Sequence, residues 1–327
     1  MMALTKKQQK RMDKLDFSKG GGFSDFLTNA NKLTPSDSKF LFVGLGGKGG
    51  EVIASLKTEV YKRIQCPPDS FRPDSFEYLA VDSDDNSLKR LQNREFGEVG
   101  LSGSPQDNEM CHLYNSDTAA ILKSPGMMPE NVSGWINPNL SADLAGDGAG
   151  GVRQAGRFLL FGNAFLSLKA QLERKLGRLH NQISNANNQK LIVYIFAGVG
   201  GGTGSGTIID IPYIIREICK RKSWQVKIHA YIFLPDTYAE HYAHMDDNSY
   251  AALKEIDSLM NLSYMGGVKK FEATYTGGYS VSRSENIFDS CVLISGKRSS
   301  DTGGSVPYPD AFSRRVVVDN IISLVSQ

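Results

Sequence analysis

The chain reads as an α/β protein with a Rossmann-like, doubly wound and mostly parallel sheet. Three observations lead there. Apolar runs recur, FLFVGL at 40–45 and LIVYIFAG at 191–198 without polar interruption, and VKIHAYIFL at 226–234 broken by Lys227 and His229 alone. Runs of that kind mark strands covered on both faces. Segments with apolar residues at helical spacing alternate with them, the order expected of a parallel sheet joined by crossover helices. Two of the runs also pass directly into glycine-rich loops that open helices.

The elements follow in order. FLFVGL at 40–45 is a strand, and Val52, Ile53, Leu56, Val60 and Ile64 then fall near helical spacing. CPPDSFRPDS at 66–75 is a turn region, and FEYLAV at 76–81 is a second strand ending at Asp82. Residues 97–151 are rich in Gly, Pro, Ser and Asn and read as mainly irregular. Residues 152–176 read as one long helix, with Phe158, Leu159, Phe165, Leu166, Leu168 and Leu172 on one broad face. After the strand at 191–198 come a glycine loop, the helix IIDIPYIIREICK and the strand at 226–234. A helix over 248–260 has Asn248 at its start as a cap. FDSCVLISG at 288–296 is a further strand, and 311–327 begins another helix.

Composition narrows the function classes. The chain has 327 residues, 40% hydrophobic and 22% charged, with a net charge of +2. That is ordinary globular usage, and it provides no field to attract nucleic acid or an anionic membrane. Four cysteines without a CxxC pair argue against a zinc or thioredoxin-type motif, and they read as reduced packing residues of a cytoplasmic protein. The longest apolar run, LIVYIFAGV at 191–199, is short of the ~20 residues a bilayer span needs. Residues 1–34 carry Lys6, Lys7, Lys10, Arg11 and Lys14 and read as a basic, flexible tail, with the folded unit over 35–327. His241-x-x-His244 with Asp246 and Asp247 is not read as a metal site, because no third ligand motif follows it.

Glycine carries the main functional signal. Of the 33 glycines, 15 fall within 22 positions, at 44–50, 146–151 and 198–206. Each cluster precedes a helix. Glycine lets a backbone approach a phosphate closely, and a helix N-terminus aims N–H groups at it. The first loop holds Gly44, Gly46, Gly47, Lys48 and Gly49, and the third holds Gly200, Gly201, Gly202, Thr203, Gly204 and Ser205. Packing offers no evident reason for the density of the third, and hydroxyls among backbone amides suit phosphate oxygens. Three such loops point to one polyphosphate cradled by backbone amides.

The residues of the third loop also carry a resemblance. AGVGGGTGSG at 197–206 contains the signature GGGTGSG of the tubulin/FtsZ superfamily of GTP-binding, filament-forming proteins. GLGGKGGEV at 44–52 resembles that family's first glycine loop, with Lys48 in place of a glycine. AVDSDDNSL at 80–88 resembles the segment after its second strand and puts Asp82 and Asp84 where polar residues lie near phosphates and magnesium. GAGGVRQAGR at 148–157 resembles the loop over phosphates and ribose, with Gly148, Ala149, Gly150 and Arg157 matching. LPDTYAE at 234–240 falls where the family has its ribose-contacting loop. Asn248 and Asn320 resemble the two asparagines that contact guanine, and a carboxamide has the donor and acceptor that guanine recognition requires.

The resemblance implies a 3-2-1-4-5-6 parallel sheet, GTP or GDP with Mg2+ as ligand, and self-association into filaments. It is nearest the divergent bacterial tubulin-like proteins. In that family an acidic loop after the long core helix completes hydrolysis on the neighbouring subunit. Gln327 falls near the start of that helix. The expectation is therefore GTP binding with impaired hydrolysis and no C-terminal activation domain. A non-enzymatic, nucleotide-gated interaction module is the rival reading. A nicotinamide-dependent oxidoreductase rests only on Gly44-x-Gly46-x-x-Gly49 and leaves the third loop unexplained.

Overall fold

The computed structural model describes residues 38–64, 73–114, 121, 130–137, 148–183, 190–266, 269–299, 305–307 and 310–325. The basic segment 1–34, the turn region 66–72 and the first two residues of the second glycine cluster lie outside them.

Six strands form one sheet: β1 (Lys39–Leu45), β2 (Phe76–Asp82), β3 (Met110–His112), β4 (Leu191–Gly198), β5 (Val226–Phe233) and β8 (Ser290–Ile294). Their order is β3-β2-β1-β4-β5-β8, and every pairing is parallel. This is the order the resemblance implies, with one difference in numbering. Before the last strand the chain makes an antiparallel hairpin, β6 (Phe271–Tyr275) with β7 (Tyr279–Arg283), which forms a separate small sheet. Strand β3 lies in the stretch read as irregular, because three residues are too few to display a period.

The continuous apolar runs divide into two chemically distinct faces. Successive strand residues point to opposite sides. Leu41, Val43, Leu79, Val81, Val193, Ile195, Ile228 and Ile232 build an aliphatic side. Phe40, Phe42, Phe76, Tyr78, Tyr194, Phe196, Tyr231 and Phe233 build an aromatic side. The rings on that side lie close, with Phe42 5.5 Å from Tyr78 and 5.9 Å from Tyr194 between centroids. Such contacts contribute beyond area burial.

Helices cover both sides. Against the aromatic side lie α1 (Gly46–Arg63), α2 (Asp85–Gln92) and, at the end of the described chain, α8 (Asp310–Val325), which buries Val317, Val318, Ile321 and Ile322. Against the aliphatic side lie α3 (Arg153–Phe161), α4 (Ala164–His180), α5 (Gly202–Thr207), α6 (Asp210–Arg221) and α7 (Met245–Leu259). The single helix expected over 152–176 is two, because Gly162 takes an extended conformation after Phe161 (ψ −169°). Helix α7 starts earlier than expected, after His244 in the left-handed region (φ 68°), so Asn248 sits inside the first turn and not at the cap.

Candidate functional site

The glycine clusters meet at the carboxyl edge of the sheet. Strand β1 turns into α1 at Gly46, whose φ of +69° is a conformation that side chains rarely adopt. A Cβ there would also stand 2.9 Å from the amide nitrogen of Gly204, so the first loop rests directly on the third. The second cluster reaches the same place, since a Cβ on Gly202 would stand 2.8 Å from that of Ala149. The segment after β2 closes the remaining side. Together they enclose a cavity of about 700 Å3 lined by all three loops and by Asp82, Ser83 and Asp84.

Its polar floor is tied together by hydroxyls. Ser83 Oγ and Thr203 Oγ1 lie 2.5 Å apart and buried. Asp82 beside them is 5% exposed and accepts from the backbone N–H of Ser83 (2.7 Å) and of Asp84 (3.3 Å). Burial dominates over these bonds and raises its carboxyl to about 6. Asp84 caps α2, accepting from Asn86 N–H (3.0 Å) and from the Ser87 hydroxyl (2.9 Å). On the rim, the Lys48 ammonium lies 5.0 Å from the ring centre of Tyr238. Arg90 and Glu51 also line the cavity, each held by a partner outside it: Arg90 by Glu95 at 2.7 Å, and Glu51 by Arg314 at 2.9 Å.

Among the residues singled out from the sequence, Gly46, Gly47, Lys48, Asp82, Asp84, Gly148, Ala149, Gly150, Gly201, Gly202, Thr203 and Gly204 line the cavity. The others lie elsewhere. Gly44 and Gly49 face one another where α1 crosses β1, with no room for a side chain. Gly200 packs on Met245, and the Ser205 hydroxyl donates to the Gly201 carbonyl. Arg157 is turned away, bonded through Nε (2.8 Å) and a terminal nitrogen (3.1 Å) to the fully buried Asp210, with its guanidinium 4.7 Å from the Trp135 ring centre.

Neither asparagine is part of the cavity wall. Asn248 donates to the carbonyls of Gly151 (2.7 Å) and Gly200 (2.9 Å), stitching the second loop to the third. Asn320, on the exposed side of α8, accepts from the Tyr231 hydroxyl at 2.6 Å. Sequence reasoning missed Ser83, Ser87, Tyr238 and Tyr242 as wall residues. Ser83 had a signal, lying between two aspartates already singled out, and Tyr238 lies in the segment expected to contact ribose.

The view that packing does not require the glycines of the third loop is corrected. Gly156 on α3 meets Gly202, and Gly206 meets the backbone of α3, so α3 and α5 touch through bare backbone. In the first and third loops, Gly47 and Gly201 have a loose surrounding, with the nearest atoms to an added Cβ at 3.8 and 3.9 Å. Packing therefore leaves those two glycines bare at the cavity wall without needing them so.

A second cleft of about 810 Å3 lies between α1, the 94–98 turn and α8. Its charges pair among themselves or with neighbours, as in Lys62–Glu98 and Arg315–Asp319, and do not converge on a common point. No group of three or more His, Cys, Asp or Glu side chains is placed to hold a metal among the described residues. No helix among them is long and apolar enough to cross a membrane.

Fold and site together define an α/β protein with a glycine-walled cavity at the carboxyl edge of a parallel sheet, where such sheets place ligands. Residues 41–323 match the family described as tubulin like, and the chain belongs to that family. Solved structures similar to it include CetZ from Methanosaeta thermophila (17% identity, TM-score 0.44, 88% of this chain and 54% of that one). Others are a GTPγS-form protofilament of TubZ from Bacillus thuringiensis serovar israelensis (15%, 0.49, 92% and 59%) and an FtsZ variant of M. jannaschii (16%, 0.41, 94% and 59%). The chain thus spans between 54% and 59% of the length of these relatives. No curated protein sequence matches it.

Proposed function

We propose that the cavity binds a guanine nucleotide, GTP or GDP with Mg2+, and that the chain is the nucleotide-binding part of a self-associating, cytoskeletal-type protein. The observation that carries this reading is the meeting of three glycine loops over the buried Ser83–Thr203 pair. Gly47 and Gly201 present bare backbone to the cavity where packing would tolerate a side chain, which fits a group that must approach the main chain closely. The N-terminus of α1 faces the same space and favours negative charge.

The charge balance supports a nucleotide that arrives with its cation. Lys48 and Arg90 are set against Glu51, Asp82, Asp84 and Glu240 in the wall. A bare polyphosphate would meet more acid than base there. A bound divalent cation would neutralise phosphate charge, and Asp82 and Asp84 are the residues to hold it, directly or through water. Thr203 and Ser83 would orient the phosphate through their hydroxyls, and Lys48 would offer a point charge.

The alternative is a nucleotide-gated interaction module without turnover. It is favoured by the engagement of both aspartates in holding the loop after β2. Asn248 then serves as a positioning residue that keeps the second and third loops together, and contact with guanine would require it to leave Gly151 and Gly200.

The test is nucleotide identity. Purified protein is denatured, the released small molecules are separated by chromatography, and the refolded or nucleotide-free chain is titrated with GTP, ATP and NAD in the presence of Mg2+. GDP or GTP in the supernatant, with GTP the tightest ligand, is the expected result. Release of NAD, or equal affinity for all three, would remove the guanine reading. Sedimentation with and without GTP tests self-association, and phosphate release separates hydrolysis from binding.

A further inference from the structure

Tyr238 is held on the glycine loop after β4 by an unusual contact for an aromatic side chain. Its hydroxyl fills the place a Cβ on Gly198 would take and stands 3.9 Å from where one on Gly201 would be, so it lies against the backbone of the loop over Gly198–Gly201. The ring lies 3.4 Å from where a Gly200 Cβ would be, and the Lys48 ammonium sits over its face. Burial raises the phenol well above its ordinary pKa, so the oxygen is a neutral acceptor.

The backbone before it is pinned to the end of β8, and the stretch after it is tied to the start of α7 by Tyr242 N–H on Met245 Sδ (3.2 Å) and by His241 beside Asp246 (3.4 Å). Just before it, Asp236 accepts from the Ser295 hydroxyl (2.6 Å) and Gly296 N–H (3.0 Å), and the Thr237 hydroxyl donates to the Leu234 carbonyl (2.7 Å). Just after it, residues 239–244 are exposed up to the buried Met245. The ring therefore stands between a pinned turn and an exposed stretch, outside the sheet itself.

Backbone N–H groups of a glycine loop are the donors a phosphate oxygen uses. They cannot fully serve two acceptors, and a charged phosphate oxygen is a stronger acceptor than a neutral phenol. We propose that Tyr238 is a displaceable latch: its hydroxyl lies against the anion-binding amides at Gly200 and Gly201 and gives way to a phosphate group of the ligand. Displacement also uncovers Lys48 toward the phosphates. This rests on the nucleotide reading above and adds to it a device that regulates entry to the same site.

Tyr238→Phe keeps the ring and deletes the acceptor. The full chain is titrated with GTP and, separately, with inorganic tripolyphosphate, each with Mg2+. The variant should bind both about twofold to tenfold more tightly, the worth of one hydrogen bond. Tyr238→Ala, which also removes the ring from Lys48, should associate faster in stopped-flow mixing. Weaker binding by Tyr238→Phe would make the hydroxyl a ligand contact and overturn the latch. Unchanged affinity and association rate would overturn it too, while leaving the nucleotide reading intact because the wild-type chain binds. If the wild-type and both variants are folded by circular dichroism and bind neither probe, the nucleotide reading falls and the latch falls with it.

Discussion

Ser83 and Thr203, 120 positions apart in sequence, bring their hydroxyl oxygens to 2.5 Å beneath the cavity. One follows β2 and the other opens α5, so the contact joins the two loops that the proposed phosphates would bridge. Thr203→Ala and Ser83→Ala should each lower nucleotide affinity and cost about 1 kcal/mol of stability, the usual worth of a buried hydrogen bond. Because the two residues share one bond, the double variant should cost less than the two single costs together. Urea unfolding of the four proteins checks it, and strict additivity would mean that the hydroxyls do not interact.

Asp82 makes stability depend on pH in a definite direction. Its carboxyl is raised from 3.8 to about 6 by burial, so the folded chain holds a proton that the unfolded chain has released between those values. Stability should therefore be highest below pH 4 for this group, and fall as pH rises to about 6, by about 3 kcal/mol at most. Asp82→Asn should flatten that slope and be the more stable protein at pH 7, while binding nucleotide and Mg2+ less well. A wild-type slope of the opposite sign over this window, relative to the variant, would show that the carboxylate is stabilised by its backbone bonds.

Gly201 and Gly204 should part company. Gly201 has open space for a methyl group and a φ of −82°, so Gly201→Ala should change stability by under about 1 kcal/mol. The methyl group would enter the cavity, and nucleotide affinity should fall at least tenfold, on the order of 1.4 kcal/mol. Gly204 packs against the backbone of Gly198 and Leu45, and Gly204→Ala should cost about 1–3 kcal/mol through overpacking. Thermal melts with and without GTP separate the two effects. Equal affinities for wild type and Gly201→Ala would place the phosphates elsewhere.

Arg157 should act on stability before it acts on binding. Its removal leaves Asp210, fully buried and also bonded by the Tyr275 hydroxyl at 2.8 Å, without its compensating charge. Arg157→Ala should cost about 3–5 kcal/mol, and Asp210→Asn in the same chain should recover part of it. A stable Arg157→Ala chain with lost nucleotide affinity would restore the ligand role implied by the resemblance.

Much of the fold was legible from the order of apolar runs and glycine loops, because a parallel strand buried on both faces carries few polar residues, and those it has, such as Glu77 in β2, need a buried partner such as Lys175. The division of those runs into an aliphatic and an aromatic side was also present in the alternation of residues such as Phe40, Leu41, Phe42 and Val43. Less legible were β3, the β6–β7 hairpin and the break at Gly162, where the elements are short or the period is interrupted by one residue.

For the site, residue type alone marked the loops, since glycine clusters and hydroxyls are local chemistry. Which of those residues face the cavity depended on the packing of segments distant in sequence. Arg157 was claimed by Asp210, Asn248 by the carbonyls of Gly151 and Gly200, and Asn320 by Tyr231. Tyr238 came to the glycine loop through a turn pinned by Asp236 to Gly296. The local sequence determined which groups could hold a phosphate. The tertiary structure decided which of them were left to do so, because a buried polar group takes the first partner the fold brings within reach.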